Sequence, residues 1–208
     1  MSKLETANTT IIRPTQGIDL GIDLGRRQMF RAAGVTTLSA AAIAILGGCK
    51  STSATTMASE GDVNTLNVAL GLEHEAINAY QLGAESGLLQ KPVLDVAVQF
   101  QSHHKQHRDA LMAAIKSMGG MPVAEKSKAD YAKELNASTL KSQADVLMLA
   151  AKLEKGAANA YLGVIPAFEN KDLGQVAGRL AADEAMHWTV LASALKQALP
   201  EKALTFGA

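Results

Sequence analysis

Leu72-Glu73-His74-Glu75-Ala76-Ile77-Asn78-Ala79-Tyr80 returns 81 residues later as Leu153-Glu154-Lys155-Gly156-Ala157-Ala158-Asn159-Ala160-Tyr161, with Leu, Glu, Ala, Asn, Ala and Tyr in register. A second pair of segments repeats at a spacing of 80, where His104 falls on Glu184, His107 on His187 and Leu111 on Leu191. Two repeats in the same order at nearly the same spacing are most simply a duplicated unit of two helices.

The apolar pattern around these segments is helical. Val93, Ala97, Phe100, His104, His107, Leu111, Ala114 and Met118 alternate spacings of four and three. So do Leu173, Ala177, Leu180, Glu184, His187, Leu191, Ala194 and Ala198. That period lays each set along one helix face turned to an interior. Capping residues mark the ends. Asp62 opens a first helix that runs to Gly87, and Pro92 suits the first turn of a second that ends at Gly119. Ser142 with Asp145 opens a third helix reaching the Pro166 to Asn170 region. Asp172 opens a fourth, stopped by Pro200.

Loop lengths choose the topology. The first two helices, and the last two, are joined by only a few residues, so each pair is an antiparallel hairpin. Gly120 to Lys141 is far longer, and extended it would span roughly 70 Å. That suffices to run along a bundle helix of about 40 Å, even with a helical turn near Tyr131. The expected fold is an all-α, antiparallel four-helix bundle with one long crossover, occupying residues 62–208.

One level of the interior stripes is polar. Glu73 lies between Leu66, Leu70, Ile77 and Tyr80, and Glu154 between Leu147, Ala150, Ala157 and Tyr161. His104, His107, Glu184 and His187 occupy interior positions of their own helices. Counted from the connecting turns, all six fall in one layer. Burying an unpartnered carboxylate costs several kcal/mol, and three together also repel one another. A metal ion removes both objections, and an i, i+3 pair lets one helix supply two ligands to it.

With Glu on the first and third helices and a paired motif on the second and fourth, the chain resembles the ferritin-like di-metal carboxylate superfamily. It is most similar to its exported, poorly characterised ferritin-like domain families. The resemblance implies divalent metal ions as cofactors, with Glu73, His104, His107, Glu154, Glu184 and His187 as ligands, and redox chemistry on oxygen, peroxide or a small substrate. His104-x-x-His107 departs from the family's Glu-x-x-His, which leaves three carboxylates where the family has four and Glu184 alone at a bridging position. Three oxygen and three nitrogen ligands suit Fe, Mn, Zn or Cu, without choosing among them. A single metal on Glu154, Glu184 and His187 is also open, as is a non-enzymatic structural or partner-binding bundle with a degenerate site. His74, His103 and Glu75 point off the stripe and are expected on the surface. Tyr80 and Tyr161 are expected to pack with bonded hydroxyls, and Trp188 to pack or line an interface.

Residues 1–49 read as an address. Arg26-Arg27 precedes a mildly apolar stretch from Ala32 to Gly48 and resembles a twin-arginine export signal, although Met29 departs from its usual Phe. Leu46-Gly47-Gly48-Cys49 resembles a lipobox, and Cys49 is the only cysteine of the 208 residues. The alternative, an uncleaved anchor, is short of the roughly 20 apolar residues that a spanning helix needs. The expected product is exported and lipid-anchored on the periplasmic side of the envelope. Lys50 after the cysteine directs it to the outer membrane if the cell is Gram-negative. Residues 50–61, rich in Ser, Thr and Ala, form a tether. Twenty Lys plus Arg balance 20 Asp plus Glu, so no charge excess calls for nucleic acid. The expected partner is the membrane itself; a second copy and another envelope protein remain open. Cys49→Ser is expected to abolish lipid attachment, and Arg26 with Arg27 both changed to Lys to stop export; lipid labelling and cell fractionation check the two.

Overall fold

The chain is described here by a computed structural model covering residues 59–207. Cys49, Arg26, Arg27 and most of the expected tether lie outside the described residues. Among the described residues five α-helices follow one another: α1 (Glu60–Glu85), α2 (Lys91–Ser117), α3 (Lys128–Glu134), α4 (Gln143–Val164) and α5 (Lys171–Ala194). Single 3-10 turns occupy Ala137–Thr139 and Ile165–Ala167. α1 packs along α2 and α4 along α5, and the two hairpins meet through α1 and α4. No described helix is long and apolar enough to cross a membrane.

α1 and α4 run antiparallel. The end of α1 meets the start of α4 at Gly83, where an added Cβ would stand 2.9 Å from Val146 Cγ1. The start of α1 meets the turn before α5, where Asp62 accepts hydrogen bonds from the backbone N–H of Glu169 and Asn170, both at 3.0 Å. The crossover therefore travels the length of the bundle, carrying α3 on the outside of α1.

Several expected boundaries move. α1 starts at Glu60, taking the last two residues of the tether, and Ser59 rather than Asp62 precedes it. Asp62 is 2% exposed and serves the opposite hairpin, giving acceptors to N–H groups at the entry to α5, where a helix start leaves its donors without intrahelical partners. Asn170 caps α5 by accepting from the N–H of Asp172, which was expected to open that helix. α5 ends at Ala194, well before Pro200, with Lys196 at φ 57°, so Ala198 is exposed and not on the stripe. Ser142 caps α4 as expected, accepting from Asp145 N–H.

The interior is two apolar clusters with a polar level between them. One holds Leu66, Leu70, Leu111, Ile115, Phe168 and Leu173. The other holds Tyr80, Phe100, Leu147, Trp188 and Leu191. Each fully buried large side chain contributes about 1.5–3 kcal/mol, so these clusters carry the fold.

Both hairpins also hold a strap with an equivalent asparagine. Asn78 donates to Glu125 Oε1 on the crossover at 2.6 Å, and Asn159 accepts from the Gly207 N–H of the C-terminal tail at 2.8 Å. Asn67 bonds Met121 O and Val123 N–H, and His74 Nε2 lies 3.3 Å from Val123 O. His74 is thus covered by the crossover and only 4% exposed, not on the surface. Glu75 is half-buried rather than fully solvated, with burial and then the charge of Glu134 raising its pKa. Phe206 of the tail meets Trp188 edge to face at 5.3 Å, which gives Trp188 its packing role. Asp62→Ala is expected to lower stability by about 2 kcal/mol, since it removes two hydrogen bonds made by a buried side chain between the hairpins, and Asp62→Asn by less. Chemical denaturation of the three proteins measures this.

Candidate metal centre

All six expected ligands converge. α1 brings Glu73, α2 His104 and His107, α4 Glu154, and α5 Glu184 and His187, each 8% exposed or less. Their donor atoms form two groups of four, Glu73 with His104, His107 and Glu184, and His104 with Glu154, Glu184 and His187. Within each group the atoms lie within 4.8 Å of one another. Glu184 and His104 belong to both. Glu184 faces His107 Nδ1 through Oε1 and His187 Nδ1 through Oε2, both at 3.2 Å. His104 presents Nδ1 to Glu73 Oε2 at 2.8 Å and Nε2 to Glu154 Oε1 at 3.1 Å.

Two tyrosines tie the hairpins together at this level. Tyr80 donates its hydroxyl to Glu154 Oε1 at 2.5 Å, and Tyr161 donates to Glu73 Oε1. Each hairpin's phenol serves the other hairpin's carboxylate. Burial, then the neighbouring carboxylate charge, pushes both phenol pKa values well up, so they remain donors.

The imidazoles have partners on their outer nitrogens. His107 Nε2 lies 3.2 Å from Asp183 Oδ2, and His187 Nε2 lies 2.9 Å from His103 Nδ1. His103 is therefore not a free surface residue. The arrangement is reciprocal, since the 80-residue repeat places His103 on Asp183 and His107 on His187. Each inward-facing histidine is oriented by the residue just before the other helix's motif. That second layer was in the sequence, one position upstream of each motif, but spacing on the interior stripe does not reach it. Phe100 stacks on His187 with centroids 4.1 Å apart and completes the ring's confinement.

In the metal-free protein the imidazoles must neutralise the carboxylates. Burial opposes charge on His104, but hydrogen bonds to Glu154 and Glu73 prevail and push its pKa up to about 10. Burial likewise opposes His107, and Asp183, Glu184 and Glu73 push it up to about 12. His187 also moves up, with burial outweighed by Glu154 and Glu184. Glu73, despite burial, is held at about 2 by His104 and His107, and Glu154 is lowered by His104 and His187. Glu184 alone moves up, because burial exceeds the help from His107 and His187.

The residues fit a divalent metal. His107 Nδ1 and Glu184 Oε1 are buried and face each other at 3.2 Å, near enough for an ion pair, yet neither atom makes a well-formed hydrogen bond among the described residues. Buried polar atoms without a well-formed hydrogen bond are costly, and a cation between the two would satisfy both. The donor set of carboxylate oxygens and imidazole nitrogens, with the outer imidazole nitrogens held by a second layer, is that of a transition-metal site.

Four antiparallel helices around a carboxylate and imidazole layer, joined by one long crossover, define a ferritin-like bundle. The sequence model of the ferritin-like domain family matches residues 61–197, and the chain belongs to that family. The crystal structure of a conserved hypothetical protein from Mycobacterium tuberculosis is similar, with a TM-score of 0.56 and 24% identity over 70% of this chain and 98% of that one. That likeness speaks for the fold. No curated protein matches the chain.

Stability of the metal-free protein should peak between the ordinary pKa values of Glu and His. The raised histidines stabilise fully below about 6.5, and this is lost as pH rises through about 10. The lowered carboxylates stabilise above about 4.5, and this is lost as pH falls to about 2. Metal binding needs neutral imidazole, so its affinity should keep rising above pH 6.5. Thermal melts and metal titrations across pH 4 to 10 check both trends.

Proposed function

We propose that the protein is a metal-binding ferritin-like lipoprotein of the cell envelope, with an oxidoreductase centre in the bundle core. The observation that carries this reading is the shared use of Glu184 and His104 by two four-donor groups. It supports a centre for two divalent metals from Fe, Mn or Zn. Glu73 with His107 would serve one metal and Glu154 with His187 the other, with Glu184 between them. A bound metal of this kind supplies Lewis acidity and, for Fe or Mn, electron transfer.

The chain's own residues do the rest. Tyr80 and Tyr161 orient one oxygen of Glu154 and Glu73 and leave the other oxygen toward the layer. Asp183 and His103 hold the two outer imidazoles so that their Nδ1 atoms face inward. The apolar clusters above and below exclude water, which strengthens every charge interaction in the layer. The envelope address at Arg26, Arg27 and Cys49 agrees with this reading, since twin-arginine export carries proteins already folded around their cofactors. Anchoring through a lipid on Cys49 puts the bundle at a membrane surface on the exported side.

Metal-to-protein ratios after reconstitution with Fe, Mn, Zn and Cu test the proposal. Wild type is expected to take up close to two equivalents of at least one metal. Glu184→Ala should lose the most, Glu73→Ala the least, and Glu154→Ala should lie between; His104→Glu should strengthen two-metal loading by adding a carboxylate. Under a tenth of an equivalent in well-folded wild type would establish the non-enzymatic bundle instead.

A further inference from the structure

At the end of the bundle where α1 stops and α4 begins, a partly enclosed cavity of about 270 Å³ lies between the four bundle helices and the end of the crossover. Val93, Val96, Val146, Leu149, Leu140 and Tyr80 are among the residues that line it. The wall is almost wholly hydrocarbon. Its one aromatic is the tyrosine whose hydroxyl donates to Glu154 in the polar layer, and whose ring lies 5.5 Å from that of His104. The Tyr80 ring therefore borders both the cavity and the layer.

The duplication gives positions at this end of the bundle counterparts at the other. By the 81-residue repeat Gly83 corresponds to Val164, and by the 80-residue repeat Leu195 corresponds to Ile115. At the opposite end Val164 packs against the core and Ile115 is fully buried within it. At the cavity end the first position is Gly83, whose backbone Val146 closely approaches, and Leu195, just beyond the end of α5 at Ala194, is only partly buried against the second cluster. The two ends of the duplicated bundle are thus packed by different side chains, and this one keeps an apolar cavity above the polar layer.

We propose that this cavity binds a small uncharged apolar molecule, an aromatic ring system or short alkyl chain, beside the metal centre. The lining offers no charge and almost no hydrogen-bonding group, which excludes sugars, nucleotides and free acids. Apolar cavities of roughly 150 Å³ stay dry and take up benzene, so this one accommodates a two-ring aromatic or a comparable alkyl chain. Binding itself does not depend on a metal. The further role of the molecule as substrate of the centre rests on the metal reading above.

The test uses the purified protein with labelled Val and Leu methyl groups, naphthalene as probe, and NMR spectra in metal-free and metal-loaded states. Saturable shifts confined to methyls that line the cavity, among them those of Val93, Val96, Val146 and Leu149, are expected in both states. Ala97→Phe and Ala150→Phe each place a ring in the cavity, and whichever folds should bind naphthalene at least tenfold more weakly. If neither folds, the position of the wild-type shifts decides. No saturable shift, shifts centred on Leu66 and Leu173 instead, or unchanged binding in a folded filled variant would overturn the proposal. In metal-loaded protein, the probe should also perturb the optical or paramagnetic signature of the metal. Failure to load metal while cavity shifts persist would remove the substrate role and leave the binding site.

Discussion

Three carboxylates and three imidazoles, nearly sealed from water at one level of a helical bundle, are the constraint around which the rest is arranged. Taking charges out of water costs several kcal/mol each, and only close, well-oriented partners offset it. The two tyrosines, the outer Asp183 and His103, and the paired contacts of His104 are those partners. They restrict the side-chain rotamers of the layer and so the rotation of every bundle helix about its axis. A helix turned by a third of a turn would leave a bare charge facing hydrocarbon, so the polar layer specifies register where the apolar clusters supply cohesion.

His104 stands where the Glu-x-x-His pattern of the resemblance would have a carboxylate. A carboxylate there would add a fourth negative charge to the layer; an imidazole can instead carry a positive one. Its two nitrogens reach Glu73 and Glu154 on opposite hairpins, so in the absence of metal a protonated His104 occupies the role of an internal cation. The metal-free bundle can therefore fold without the repulsion that four carboxylates would impose. A metal entering this layer would have to displace a proton rather than fill an electrostatic vacuum, which would couple loading to pH through His104 and its neighbours.

The fold was legible because two signals agreed. The repeat of the Leu72–Tyr80 segment announced a duplication, and the four-three spacing around His104 and Glu184 announced helices with one interior face. The six residues of the layer followed from the same spacing, and the structure brings them together. What escaped was of two kinds. Asp62 looks like the cap of its own helix, and only three-dimensional proximity reveals that it caps the other hairpin. His74 and His103 lie off the bundle-facing stripe, and periodicity assigns such positions to water. His74 is covered by a loop with no periodic signature, and His103 reaches sideways to a neighbouring helix. Sequence period reports one buried direction per helix, and α1 has two.

The crossed tyrosine bonds have a consequence for how such a bundle arises. A hairpin carrying one Glu and one Tyr of this kind cannot satisfy either by itself, because Tyr80 reaches Glu154 and Tyr161 reaches Glu73. Two identical hairpins facing each other satisfy both at once. A chain of half this length would accordingly be stable only as a symmetric pair, and gene fusion would change its kinetics of assembly more than its chemistry. Once fused, the halves were free to diverge, and His104 opposite Glu184 is the mark of that freedom: a position that must be identical in a symmetric pair is acidic in one half and basic in the other.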